Sequence, residues 1–141
     1  MHIRFVTDPA DLAECLRLRH EVFVLEQGVS LADEADGRDG EALHLLASDD
    51  RRSIGAARIL IADGTAKIGR VCVLRDARGT GLGGRMLAVM LERLQAEPEV
   101  RRAKLGSQVA AISLYTRAGF MPVGPRYMEA GLEHQDMERA V

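Results

Sequence analysis

The chain has 141 residues, and 19 Lys and Arg against 21 Asp and Glu give it a formal net charge of −2 at pH 7. A near-neutral chain lacks the positive field that draws proteins to nucleic acid or anionic lipid, and no run of roughly 18 apolar residues is present to span a membrane. The length predicts one domain, residues 1–141, large enough to bury a core.

The first half of the chain predicts a strand, a helix and three further strands. Asp8 and Pro9 form a helix start, and helical spacing of apolar residues continues to about Leu25. Turn sequences at Asp49–Arg52 and Asp63–Gly64 separate the later strands, which indicates an antiparallel meander. The predicted strands are Ile3–Val6, Ala42–Ser48, Ile54–Ala62 and Ala66–Leu74.

Between the first helix and the meander lies an acidic segment, residues 31–41, which glycines interrupt. We expect an irregular segment here. One hypothesis is that its acids attract a cationic amine; the alternative is a simple solvated loop. The spacing of its Asp residues does not match a calcium loop, whose ligands alternate and end in Glu, so no metal site is predicted.

The second half predicts a helix between two short strands, then another helix and a final strand pair. Glycine-rich residues 76–84 precede a helix that Pro98 stops, Ser107 is a candidate N-cap, and Gly119 is the predicted C-terminal glycine of the second helix. The first of these helices has an apolar face of Leu82, Met86, Met90 and Leu94. The predicted strands are Arg101–Gly106, Phe120–Val123 and Leu132–Ala140. This order indicates an α+β domain with a mixed sheet.

Four glycines crowd the strand-to-helix junction, at positions 79, 81, 83 and 84. Residues without side chains at a helix start let successive backbone N–H groups converge on an anion, and Arg78 could neutralise a phosphate there. A dinucleotide fingerprint is disfavoured because a long meander precedes the glycines and the next strand ends without an acid. A nucleotide-hydrolase loop is excluded because Arg85-Met86 stands where Lys-Ser/Thr is needed.

Two motifs in order resemble the GNAT acetyltransferase superfamily. Arg78, Gly81 and Gly83 match its Arg/Gln-x-x-Gly-x-Gly/Ala pattern, and Tyr115-Thr116-Arg117-Ala118-Gly119-Phe120 is similar to its Tyr-x-x-x-Gly-Phe segment. Over nearly the whole chain the sequence resembles the small bacterial ElaA-type branch of that superfamily. The resemblance implies a mixed, mostly antiparallel central sheet that is splayed at its fourth strand and flanked by helices.

The resemblance also implies acetyl-CoA (coenzyme A) as cofactor. The resemblance assigns pyrophosphate binding to residues 78–84, which we call the glycine turn. Backbone groups of the fourth strand would hold the pantetheine arm. Gln108 stands near the position where family members often carry Asn. The implied cofactor-binding residues are Val71, Val73, Leu74, Arg78, Gly79, Thr80, Gly81, Leu82, Gly83, Gly84 and Gln108.

Acetyl transfer to an amine needs a general acid that protonates the departing thiolate and a general base that deprotonates the ammonium. Tyr115 occupies the family position of a general acid toward the departing thiolate. No acid lies in Ala66–Leu74, where many relatives carry their base. The candidates for the base are Glu26, His44, Glu129 and His134, and a water molecule is the remaining alternative.

The sequence therefore predicts an N-acetyltransferase whose partners are acetyl-CoA and an amine acceptor. The alternative is a catalytically silent acyl-CoA-binding module on the same fold. Neither nucleic acid nor membrane is an expected partner, and a homodimer is left open. Cys15 and Cys72, far apart in apolar patterns, predict reduced core thiols and a cytoplasmic location.

Overall fold

The computed structural model describes residues 1–141, which form one eight-stranded sheet and four α-helices. The strands are β1 (His2–Phe5), β2 (Leu43–Ser48), β3 (Ser53–Ala62), β4 (Thr65–Val73), β5 (Arg102–Gln108), β6 (Met121–Pro122), β7 (Tyr127–Glu129) and β8 (Leu132–Ala140). The helices are α1 (Pro9–Arg19), α2 (Leu31–Glu34), α3 (Leu82–Gln95) and α4 (Ile112–Arg117), with a π-helical segment at His20–Glu26. None of the helices is long and apolar enough to cross a lipid bilayer.

The sheet has the strand order β1-β2-β3-β4-β5-β8-β6, and β7 pairs with β8. Every pairing is antiparallel except β4 with β5, which is parallel and joins only Thr65–Lys67 to Arg102–Lys104. Beyond those residues the two strands have no pairing, so the sheet splays open at β4. The predicted mixed, mostly antiparallel α+β sheet is confirmed.

Helices cover both faces of the sheet. A Cβ at Gly55 would approach the Met86 sulfur to 2.9 Å, which shows that this face of β3 packs closely on α3. Arg58, three residues along the same strand, points to the opposite face and pairs with the same Asp39 as Arg19 of α1. The predicted apolar face of α3 is confirmed, since its buried side chains are Leu82, Met86, Leu87, Met90, Leu91 and Leu94.

The β4 strand contains a bulge at Arg70. Ala56 pairs with Cys72 and Arg58 with Gly69, so a single β3 residue faces two residues of β4. Arg70 has a left-handed φ of 53°, a conformation that costs a non-glycine residue roughly 1–3 kcal/mol. Its guanidinium donates to the carbonyl oxygens of Asp33 (3.2 Å) and Glu34 (3.1 Å), which ties the bulge to the acidic segment.

The acidic segment is more ordered than predicted. Residues 31–34 form α2, whose N-cap Ser30 accepts a hydrogen bond from the Asp33 N–H at 3.1 Å, and Asp39–Glu41 form a 3₁₀ turn. Its acids meet three arginines from α1, β3 and β4 in what we call the arginine–acid cluster: Arg19, Arg58 and Arg70 with Glu34, Asp36 and Asp39.

These ion pairs correct both expectations for the acidic segment. Arg19 is only 1% exposed, and it donates to Asp39 at 2.7 Å and to Glu34. Because three arginine charges offset the three carboxylates, the segment is neither a simple solvated loop nor an unscreened negative field that could steer an amine.

In the second half of the chain one local prediction is wrong and one strand was not predicted. Ser107 is not a helix N-cap but a buried residue of β5, because pairing with β8 extends the strand to Gln108. The β7 strand was not predicted; it forms a hairpin with β8 through Ala130 and Gly131, whose φ values are 52° and 78°. The left-handed turn at Gly119 (φ 89°) is confirmed.

Replacing Arg19 with Ala is expected to lower the free energy of unfolding by about 3 kcal/mol, because Glu34 loses its buried partner and Asp39 keeps only Arg58. The matched control is Arg17→Ala on the same helix, whose side chain is 49% exposed and whose ion pairs should contribute less than about 1 kcal/mol. Urea unfolding of both variants measures the difference, and equal losses would contradict a structural role for the cluster.

The cluster should also make stability fall at acid pH. Hydrogen bonding to Arg58 lowers the pKa of Asp36. Burial acts to raise the pKa of Asp39, but its bonds to Arg19 and Arg58 outweigh that effect and lower it.

Both carboxyls therefore bind protons more readily in the unfolded chain, so their stabilisation is complete above its carboxyl pKa of about 4 and is lost as the pH falls below that value. Urea unfolding at pH 7, 5, 4 and 3 should show this decline, and Asp36→Asn should make it shallower. An unchanged pH dependence in Asp36→Asn would exclude Asp36 as a source.

Candidate active site

The divergence of β4 and β5 opens a cavity of about 740 Å³. We call it the splay cleft: the β4 residues 68–73 line one side and Leu105, Gly106 and Gln108 of β5 line the other. Since β4 pairs with β5 only at Thr65–Lys67, the β4 edge beyond Lys67 keeps backbone groups that no neighbouring strand uses. That unpaired edge includes Val71 and Val73, and Leu74 follows it.

The π-helical segment closes one end of the splay cleft. Its wider turns are seen in the bonds from the Val29 N–H to the Phe23 oxygen (2.8 Å) and from the Gln27 N–H to the Val22 oxygen (3.1 Å). Val22, Phe23 and Gln27 line the cleft. The sequence predicted an ordinary helix here, and π-helical turns are frequent at functional sites.

The glycine turn lies at the N-terminus of α3. Gly79 and Gly81 have φ values of 78° and 83°, which only glycine adopts easily. The backbone N–H groups of the first three α3 residues, 82–84, have no acceptor within the protein, and the first helical bond runs from Arg85 to Gly81. A Cβ at Gly79, Gly81 or Gly84 would meet no atom within 4 Å. The turn therefore presents unpaired donors to open space, which fits an anion such as a pyrophosphate.

Gly83 serves a different purpose in the same turn. A Cβ there would lie 3.3 Å from the Leu114 side chain, so this glycine lets α3 pack closely against α4. The turn borders a groove of about 850 Å³ that we call the turn groove; it also includes Leu114, Arg117 and Arg139. Val73 and Arg78 line both cavities, so the turn groove and the splay cleft adjoin.

Arg78 is not a free cation at the rim of the turn. Its guanidinium donates to both carboxylate oxygens of Glu26, at 2.6 and 2.8 Å, and to the Val73 carbonyl at 2.9 Å. The side chain therefore joins the glycine turn to the π-helical segment and to β4, and its charge is already offset.

The ion pair with Arg78 makes Glu26 a weaker candidate for the general base. The hydrogen bond from Arg78 lowers the pKa of Glu26 despite partial burial, and Arg75 lies 3.5 Å away. A carboxylate made less basic by two arginines is a poor proton acceptor.

Tyr115 lines the splay cleft from α4. It is 7% exposed, its ring packs edge-on against Phe120 with centroids 6.1 Å apart, and its hydroxyl makes no hydrogen bond within the protein. Burial raises the pKa of Tyr115 to about 12, so the phenol is protonated at neutral pH and can donate.

Gln108 spans the cleft to the π-helical segment. Its side-chain amide donates to the Gln27 side-chain oxygen at 2.9 Å. This contact orders the Gln108 amide within the cleft, and its role in cofactor binding stays a prediction.

His44 does not reach the splay cleft. It is 6% exposed beside the arginine–acid cluster, where its Nε2 lies 2.9 Å from the Asp39 carbonyl oxygen, and it is absent from the residues that line the cleft. The structure thus separates His44 from Tyr115 and Gln108.

A group on β7 and β8 lines the cleft instead. The Tyr127 hydroxyl donates to Asp136 at 2.5 Å, and the Tyr127 ring stacks on His134 with centroids 5.8 Å apart and planes 22° apart. Burial, then the contact with Asp136, raises the pKa of Tyr127. The sequence offered His134 and Glu129 as candidates but not Tyr127 or Asp136, because β7 was missed. The turn at Ala130-Gly131 was the local signal for that hairpin.

Residues 12–141 match the model of the acetyltransferase (GNAT) domain family. The chain is 32% identical over 127 residues to the N-acetyltransferase YjcF of Bacillus subtilis, which covers 89% of this chain and 90% of that relative.

Two solved structures have the same architecture. Escherichia coli ElaA superposes with a TM-score of 0.89 at 30% identity, covering 99% of each chain. An acyl-CoA N-acyltransferase from Pseudomonas aeruginosa gives 0.88 at 30% identity, covering 99% of this chain and all of that one. The expected fold and ElaA-like resemblance are confirmed.

Proposed function

Because the chain belongs to the GNAT family of acetyltransferases, we propose that it transfers an acetyl group from acetyl-CoA to a primary amine of a small molecule or peptide. The amine attacks directly in a ternary complex. The observation that carries this proposal is the juxtaposition of unpaired donors at the glycine turn with the adjoining splay cleft.

The glycine turn would bind the pyrophosphate through main-chain groups. The N–H groups of Leu82, Gly83 and Gly84 supply donors at the positive end of α3. Gly79, Thr80 and Gly81 shape the turn, and the Thr80 hydroxyl braces it by donating to the Ala77 carbonyl at 2.9 Å. Arg78 contributes by fixing the turn to Glu26 rather than by a free charge.

The unpaired edge of β4 would hold the pantetheine arm. Val71, Val73 and Leu74 offer backbone groups along this edge, and Gln108 faces them from β5. Acetyl-CoA supplies the activated thioester when bound. The bulge at Arg70 lies next to Val71, where it re-aims the backbone.

Tyr115 is the candidate general acid. Its protonated hydroxyl, free of internal partners and exposed to the cleft, can donate to a departing thiolate. This residue and the intact glycine turn support an enzyme over a silent acyl-CoA-binding module. The free, buried Cys15 and Cys72 support a reducing, cytoplasmic location.

Coenzyme A is expected to raise the Tm by about 5–10 °C at 100 times its Kd, because it binds only the folded chain. Gly81→Asp should abolish the shift by placing a carboxylate where the anion would bind. Differential scanning fluorimetry with coenzyme A measures both.

Gly37→Asp is the matched control, since Gly37 also has a left-handed φ (77°) and open space around it but lies in the acidic segment. It should keep the wild-type shift. A wild-type Tm unchanged at millimolar coenzyme A would overturn the cofactor assignment, and a shift retained in Gly81→Asp would overturn the turn as its site.

Tyr115→Phe should lower kcat by about 100-fold while leaving the Tm shift with coenzyme A intact, because it removes only the donated proton. Thiol release from acetyl-CoA, measured with spermidine, glucosamine, an aminoglycoside and a glycyl peptide as acceptors, gives the rates. Wild-type turnover in Tyr115→Phe would reduce Tyr115 to a packing residue.

A further inference from the structure

We propose that His134 is the proton acceptor for the amine, an inference that rests on the acetyltransferase function proposed above. His134 lies on β8 directly opposite Gln108 of β5 on one side and Tyr127 of β7 on the other. Its side chain lines the splay cleft and is 8% exposed. It therefore lies beside Gln108, which also lines the splay cleft and is a candidate cofactor-binding residue.

The protonation pattern of the His134 ring follows from one contact. Its Nδ1 lies 2.8 Å from the carbonyl oxygen of Leu132, and a carbonyl oxygen only accepts hydrogen bonds. The neutral ring therefore carries its proton on Nδ1, and its lone pair is on Nε2. Nε2 makes no hydrogen bond within the protein; the carboxylate of Glu129 is 3.9 Å away.

The ring is held from the side without its Nε2 being covered. Tyr127 stacks on the imidazole and is itself fixed by its 2.5 Å hydrogen bond to Asp136. Gly106 makes this arrangement possible, because a Cβ there would lie 2.6 Å from the Tyr127 hydroxyl oxygen. Tyr127 is thus a positioning residue for His134.

The other candidates for the base are either bound by other groups or exposed to solvent. Glu26 is bound by Arg78, and the Nε2 of His44 is taken by the Asp39 carbonyl outside the cleft. Glu129 is 66% exposed, so solvent surrounds its carboxylate. His134 combines a position in the cleft with a free lone pair on a fixed ring.

The proposed reaction moves protons from the acceptor nitrogen to His134 and from Tyr115 to the departing sulfur. The acceptor enters as an ammonium, and its N–H bond breaks as an Nε2–H bond forms on His134. The freed nitrogen pair forms a C–N bond to the acyl carbon, the C–S bond breaks, and the sulfur takes a proton from Tyr115. A second N–H bond of the former amine breaks as the amide forms, and that proton passes to solvent. His134 then returns one proton to Tyr115 through solvent, so one amide, one thiol and one net proton are produced.

Titratable and uncharged groups face His134 from three strands. They are Tyr127 and Glu129 from β7, Asp136 from β8 itself, and the uncharged Gln108 and Gly106 from β5. Activity should fall at acid pH, where an imidazole base is protonated and cannot accept the proton.

The test compares His134→Gln with wild type, using thiol release from acetyl-CoA and whichever of spermidine, glucosamine, the aminoglycoside or the glycyl peptide the wild type acetylates. We expect kcat/KM at pH 7 to fall by about 100-fold or more, the acid limb of the pH profile to disappear, and added imidazole to restore part of the rate. The Tm shift with coenzyme A should be retained.

His2→Gln is the matched control, because His2 is exposed on β1 at the far edge of the sheet, and it should keep wild-type kinetics. If wild type releases no thiol with any amine, the proposed function fails. If wild type is active and His134→Gln has the same rate and pH profile, only the assignment of His134 fails.

A second measurement does not need an acceptor. Nitrogen-15 NMR of the histidine rings in the wild-type protein should show neutral His134 protonated on Nδ1, with His134→Gln assigning its signals. A neutral ring protonated on Nε2 would contradict the proposal, because that tautomer has no lone pair directed into the cleft.

Discussion

The short parallel pairing between β4 and β5 is the constraint on which the candidate site depends. Three residues of each strand pair, and then the strands separate. Continued pairing would satisfy the edge of β4 but leave no space between the strands. The Arg70 bulge bends β4 at this point, and its left-handed backbone is strained for an arginine. The surrounding structure must hold it, since the residue alone prefers an extended conformation.

The arginine–acid cluster supplies that support. Arg70 reaches the carbonyl oxygens of α2, while Arg19 and Arg58 bind the carboxylates that follow. The charges of the acidic segment thus fix the chain that crosses one face of the sheet. The near-neutral net charge therefore holds locally as well, because arginines that are distant in the sequence offset the acids of this segment.

The ion pairs and hydrogen bonds of the structure also distinguish among the candidate site residues, which the sequence could not do. Glu26 was one candidate base for the amine and Arg78 a candidate partner of the phosphate, and in the structure the two bind each other across 52 positions. His44 packs beside the cluster, whereas His134 reaches the splay cleft. Many charged side chains at the candidate site hold the framework, and the groups there without partners inside the protein include main-chain donors of the glycine turn and the Nε2 of His134.

The sequence by itself determined the elements whose causes are local. The apolar spacing of α3, the Asp63-Gly64 turn and the glycine turn each depend on residues a few positions apart, so periodicity and turn chemistry were enough to predict them. The Tyr115 motif was found through its resemblance to the GNAT pattern. The tertiary structure decided the π-helical segment, the β7 hairpin and the partners of Glu26, Arg78, His44 and His134. These depend on strand register and on ion pairs between distant segments, and no local pattern encodes which side chains the folded sheet will bring together.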